Sequence, residues 1–84
     1  MKKITHEQTL ELLKEAQNFQ LNTKYEICLQ TYYDNGILWF TVNVSVGEGN
    51  YKYANCYDWR SYEKNKQELE SLYDYVKKYY VRSI

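Results

Sequence analysis

The sequence has no proline, three glycines, two cysteines and a single histidine, and each shortage closes off a class of protein. Without proline there is no proline-rich linker, and three glycines cannot make a glycine-rich tract. Cys28 and Cys56 are too few for a disulfide-stapled secreted scaffold, and with His6 as the sole imidazole they cannot complete a zinc site of cysteine and histidine. Neither sign of charge dominates: 11 Lys plus Arg stand against 11 Asp plus Glu. The chain therefore lacks the basic surplus of a dedicated phosphate-binding surface. No P-loop, dinucleotide fingerprint or metal-ligand spacing occurs, so no cofactor and no metal are expected. Glu7 arrives before any apolar run can form, which gives no signal peptide and no membrane span and points to the reducing cytoplasm.

Aromatic residues are abundant. Eleven Tyr, two Trp and two Phe make up 18% of the 84 residues. A chain of this length buries only about 60–65% of its unfolded surface and needs an efficient core. Large rings supply it at little cost in rotamer entropy.

Residues 5–19 read as an amphipathic helix. Thr5 suits the N-cap with Gln8 three residues on, and Thr9, Leu12, Leu13, Ala16 and Phe19 share one face. Glu7, Glu11 and Glu15 form a row on the opposite face. From Tyr25 onward the period changes from 3.6 to 2. Asn35-Gly36 is a type I′ hairpin turn and Gly47-Glu48-Gly49-Asn50 a second turn, giving strands over 25–33, 37–46 and 51–60. The first turn pairs Asp34 with Ile37, Tyr33 with Leu38, Thr31 with Phe40, Leu29 with Val42, Ile27 with Val44 and Tyr25 with Val46. Centring the second on Glu48-Gly49 pairs Val46 with Tyr51, Val44 with Tyr53, Val42 with Asn55, Phe40 with Tyr57 and Leu38 with Trp59. One face is then apolar on all three strands except at Asn55, for which a buried hydrogen bond to a tyrosine hydroxyl is one resolution.

The other face carries Glu26, Cys28, Gln30 and Tyr32, then Trp39, Thr41, Asn43 and Ser45, then Lys52, Ala54, Cys56, Asp58 and Arg60, and reads as solvated. Cys28 lies opposite Asn43 and Cys56 opposite Thr41, two strand spacings of about 9–10 Å apart, beyond the ~7 Å reach of a disulfide. Both thiols are expected free. Residues 61–81 form a second helix capped by Ser61, with Tyr62, Leu69, Leu72, Tyr73, Val76, Tyr79 and Tyr80 on one arc. The expected architecture is a single α+β domain: helix, three-stranded antiparallel meander, helix, with both helices packed on one face of the sheet.

Catalysis finds no constellation. His6 reads as an exposed side chain near the N-terminus, neither cysteine has a histidine partner, and the paired carboxylates Glu7 and Glu11 lie on a solvated helix face. The ladder Tyr51, Tyr53, Tyr57 and Trp59 suggests base stacking, but the register places it in the core, and packing is the preferred reading. Tyr32 and Trp39 are cross-strand neighbours on the solvated face, suited equally to bracing the hairpin and to anchoring a partner. Between Tyr25 and Tyr51 stand Glu26, Asp34 and Glu48 with no Lys or Arg, while Lys77, Lys78 and Arg82 crowd the C-terminal end. Such polarity can steer association with a basic surface, although solubility and the helix dipole account for the same residues more simply.

The element order, with Phe40-Thr41-Val42-Asn43-Val44-Ser45-Val46-Gly47-Glu48-Gly49 as an aromatic and valine strand running into a Gly-x-Gly turn, resembles the double-stranded RNA-binding domain. The stretch Arg60-Ser61-Tyr62-Glu63-Lys64-Asn65-Lys66 stands where that family's Lys-rich helix start grips phosphates. That resemblance implies a nucleic-acid-binding module using Lys64, Lys66, Lys77 and Lys78. The compact order of elements, the acidic hairpin region of Glu26, Asp34 and Glu48, and the Tyr-rich, Pro-free composition also resemble small phage and mobile-element inhibitors of the anti-CRISPR type. This second resemblance leads: it implies a non-enzymatic, anti-defence phage protein that binds a host protein, such as a nuclease or defence complex, and blocks a functional surface. Its expected contacts are Glu26, Tyr32, Asp34, Trp39 and Glu48. A third reading is a homodimer formed through the exposed edge of the first strand.

Overall fold

The computed structural model describes residues 2–45, 49 and 51–82, with side chains placed up to Lys78. The element order is α1 (His6–Leu21), β1 (Glu26–Asp34), β2 (Ile37–Ser45), β3 (Tyr51–Cys56) and α2 (Tyr62–Arg82). The strands form one antiparallel sheet in the order β1-β2-β3. Both helices lie on the same face. Leu12 and Ala16 of α1 and Leu69, Leu72 and Val76 of α2 join Ile27, Phe40, Val42, Val44, Ala54 and Cys56 in one buried cluster.

The local signals act as expected at both helix starts. The Thr5 hydroxyl accepts from the Gln8 amide at 3.1 Å, while the Gln8 side chain accepts from the Thr5 amide at 3.0 Å, a reciprocal capping box. The Ser61 hydroxyl accepts from the Lys64 amide at 3.3 Å. The first hairpin turns on Asn35 (φ 52°) and Gly36 (φ 77°), both in the left-handed region that a type I′ turn requires. Every expected β1–β2 pair that falls on described residues is present, from Asp34 with Ile37 to Ile27 with Val44; the pair Tyr25 with Val46 lies outside them.

The β2–β3 register is one residue away from the expected one. Val44 pairs with Lys52, Val42 with Ala54, and Phe40 with Cys56, the position assigned above to Tyr57. Cys56 therefore lies opposite Phe40 and not opposite Thr41. Five residues, 46–50, separate the last pair, Ser45 with Tyr51, and Gly49 has φ 78°. An odd connection inverts β3 relative to the even turn assumed from the sequence. Ala54 and Cys56 enter the core, while Tyr51, Tyr53 and Asn55 turn to the other face, so Asn55 is not the polar exception on the apolar side. β3 also ends four residues early. Residues 57–60 form a turn closed by the Arg60 amide donating to the Tyr57 carbonyl at 3.3 Å.

The C-terminal end of the β3 edge is sealed by α2. The Asn55 amide donates to Glu68 Oε2 at 2.6 Å, and the Asn65 side chain accepts from the Tyr57 amide at 3.0 Å while donating to the Tyr57 carbonyl at 2.9 Å. Asn65 is 0% exposed, so its amide takes the place of a neighbouring strand and satisfies backbone groups that would be costly to bury alone.

Candidate functional site: the open face of the sheet

The alternation of β1 and β2 places Glu26, Cys28, Gln30, Tyr32 and Asp34, and then Ile37, Trp39, Thr41, Asn43 and Ser45, on the face away from the helices. The corrected β3 register adds Tyr51, Tyr53 and Asn55. This face is far more aromatic than expected. The Tyr32 ring stacks on Trp39 with centroids 4.0 Å apart and planes 13° apart. Trp39 meets Tyr57 at 6.0 Å, and Tyr57 stacks on Trp59 at 5.1 Å and 13°. The four rings make a continuous row, starting on β1 and ending beyond β3.

Arg60 closes the row. Its guanidinium lies 4.6 Å from the Tyr57 ring centroid and 5.4 Å from that of Trp59, and its Nη1 donates to Glu68 Oε1 at 2.8 Å. Beside it Trp59, Arg60, Lys64, Gln67, Glu68 and Ser71 line an open groove of about 770 Å³. Trp59 is 60% exposed. The α2 residues 64, 67, 68 and 71 are one helical stripe at i, i+3, i+4 and i+7, held next to Trp59 by the same Glu68 that seals the C-terminal end of the β3 edge.

Of the five contacts expected from the sequence, Glu26, Tyr32, Asp34 and Trp39 lie on this one face, and Glu48 falls outside the described residues. Asp34 is two residues from Tyr32, whereas Glu26 is six residues away, about 20 Å along the strand. Tyr57 and Trp59 belong to the same surface but were read from the sequence as core. The signal that could have found them is the turn sequence Tyr57-Asp58-Trp59-Arg60, which ends the period-2 pattern before Trp59.

The lysines of the nucleic-acid reading are not gathered into one patch. Lys64 sits in the Trp59 groove. The Lys66 ammonium donates to the Tyr62 hydroxyl at 3.4 Å, a bond that raises its pKa. Lys77 borders a cleft between α1 and α2 with Glu15 and Glu70. It stands 13 residues beyond Lys64, about 20 Å along the helix, and Lys78 is exposed beside it.

The cysteines are both free and lie on opposite faces, Cys28 exposed and Cys56 buried. Burial pushes the Cys56 thiol up to about 12, offset in part by Arg60, so at neutral pH it is a protonated packing group and not a thiolate. Among the described residues no cluster of His, Cys, Asp and Glu is arranged to hold a metal ion, and no helix is long and apolar enough to cross a membrane. Comparison with known proteins returns no matching family model, no matching curated protein and no matching solved structure.

Proposed function

We propose that this chain is a non-enzymatic protein-binding protein whose recognition surface is the open face of the sheet. It acts as an inhibitor by covering a functional surface of its partner, a host defence protein of the class that its anti-CRISPR resemblance implies. The observation that carries the binding role is the row Tyr32, Trp39, Tyr57 and Trp59 on a solvent-facing sheet. Tyr and Trp offer large, rigid contact areas, and around them lie Gln30, Thr41, Asn43 and Asn55, short polar groups that adapt their hydrogen bonds. Among the described strand residues of this face there are two acids, Glu26 and Asp34, and no Lys or Arg. That charge favours a basic protein surface over a phosphate backbone.

A nucleic-acid-binding module is the second reading, favoured by Arg60 and Lys64 lying in one groove with the exposed Trp59. It predicts affinity that falls steeply with salt through counterion release. The direct test is Trp39→Ala and Tyr32→Ala. Both variants keep the fold, and each lowers partner affinity by roughly 30-fold or more if these rings are anchors. Unchanged affinity in folded variants removes this face as the site.

A further inference from the structure

The two edges of the sheet differ in the length of strand whose outward backbone groups are left uncovered. In a two-residue hairpin the pair flanking the turn, Asp34 with Ile37, exchanges both backbone hydrogen bonds, and the bonded pairs alternate from there. The N–H and C=O groups of residues 27, 29, 31 and 33 therefore point away from β2, along the outer edge of β1. The same count on β3 sends the groups of 51, 53, 55 and 57 outward; Glu68 and Asn65 receive the amides of 55 and 57, at the end next to α2, while those of the short stretch 51–53 beside the turn have no side-chain partner among the described residues.

At β1 the sealing stops after one bond. The Gln20 side chain donates to the Ile27 carbonyl at 2.8 Å. Beyond it, among the described residues, no side-chain hydrogen bond covers the edge groups of Leu29, Thr31 or Tyr33; Thr31 is exposed and Tyr33 is 66% exposed. Residues 26–34 contain no Lys, no Pro and no bulge, the devices that blunt such an edge, and carry charge only at the two ends, Glu26 and Asp34.

We infer that this edge pairs with a second copy of the chain, antiparallel about a two-fold axis at Thr31. The occupant follows from the strand itself. The free segment is bounded by Gln20 on Ile27 at one end and by the Asn35-Gly36 turn at the other, so it runs from 28 to 34 with Thr31 at its centre. In that register Thr31 meets its own copy and Leu29 meets the second copy's Tyr33, all with outward-facing backbone groups. On the open face Gln30 meets the second copy's Tyr32, the same two side chains that already bond within one chain, where the Tyr32 hydroxyl donates to Gln30 Oε1 at 3.0 Å. A shift to a centre at Gln30 would set Glu26 against Asp34 and is disfavoured by like charge. A shift to Leu29 would need the Ile27 carbonyl that Gln20 occupies. The paired sheet brings the two Tyr32–Trp39 stacks to either side of the axis and doubles the open face.

The test is sedimentation equilibrium of the full chain across the micromolar range, beside Thr31→Pro and Thr31→Lys. Proline at 31 removes an outward N–H and leaves the β1–β2 ladder intact, and lysine brings two ammonium groups to the axis. Self-association in the native chain, weakened at least about tenfold in both variants, is the expected result. Should Thr31→Pro fail to fold, the lysine variant stands alone. In the native chain the amides of Leu29, Thr31 and Tyr33 should also exchange more slowly as concentration rises, while those of Asn55 and Tyr57 do not change. A native chain that stays monomeric, a dimer indifferent to both substitutions, or an edge that instead accepts an unrelated extended peptide would each overturn the inference.

Discussion

At Asn65 one side-chain amide does for Tyr57 what a fourth strand would otherwise do, taking its N–H and its C=O in a fully buried setting. Asn65→Leu keeps the volume and orphans both backbone groups. A loss of about 2–4 kcal/mol in urea unfolding is expected. Trp39 and Phe40 give a sharper contrast, being neighbours in sequence on opposite faces. Phe40→Ala empties the centre of the core and costs about 3–5 kcal/mol, whereas Trp39→Ala loses the stack on Tyr32 and the tilted contact with Tyr57, about 0.5–1.5 kcal/mol each, and costs less than Phe40→Ala; reversed magnitudes would mean that the face assignment is inverted. Trp39 and Tyr32 were legible as a pair on the open face because the Asn35-Gly36 turn fixes their parity. Asn65 was not, since a polar residue within an amphipathic helix carries no mark of the backbone it will meet.

Among the elements, those with strong local signals were legible and the one dependent on a loop was not. Thr5 with Gln8, Ser61 with Lys64 and Asn35 with Gly36 each complete a contact within a few residues, so sequence spacing decides them. Thr5→Ala should accordingly lower stability by about 1 kcal/mol, read from the thermal or urea midpoint. β3 has no such anchor. Tyr51, Tyr53, Ala54 and Cys56 all tolerate burial, so the hydrophobic pattern supports either parity, and a change of one residue in the effective loop length between Ser45 and Tyr51 inverts the strand. The larger aromatics looked like core, yet tertiary packing against α2 selects the smaller Ala54 and Cys56, which leave room for Leu69, Leu72 and Val76. That single inversion hid half of the aromatic row, because the even register sets Tyr57 and Trp59 opposite Phe40 and Leu38 on the core side.

For the whole molecule the two faces of the sheet divide the work, one holding the helices and the other offering the aromatic row. The core makes its own statement about pH. Burial raises the Cys56 thiol from its ordinary 9.0 to about 12 and raises the Tyr73 hydroxyl as well. Above pH 9 the unfolded chain gives up the Cys56 proton while the folded chain retains it, so the native state binds more protons and stability falls as pH rises from about 9 towards 12. Urea midpoints across that range should decline, and Cys56→Ala should flatten the decline. The role of the open face is tested by affinity capture from nuclease-treated bacterial lysate at moderate salt, with the native chain beside folded Trp39→Ala. The expected result is a protein partner retained by the native chain despite nuclease and lost with the variant. Capture that survives Trp39→Ala, or that requires intact RNA or DNA, would contradict it.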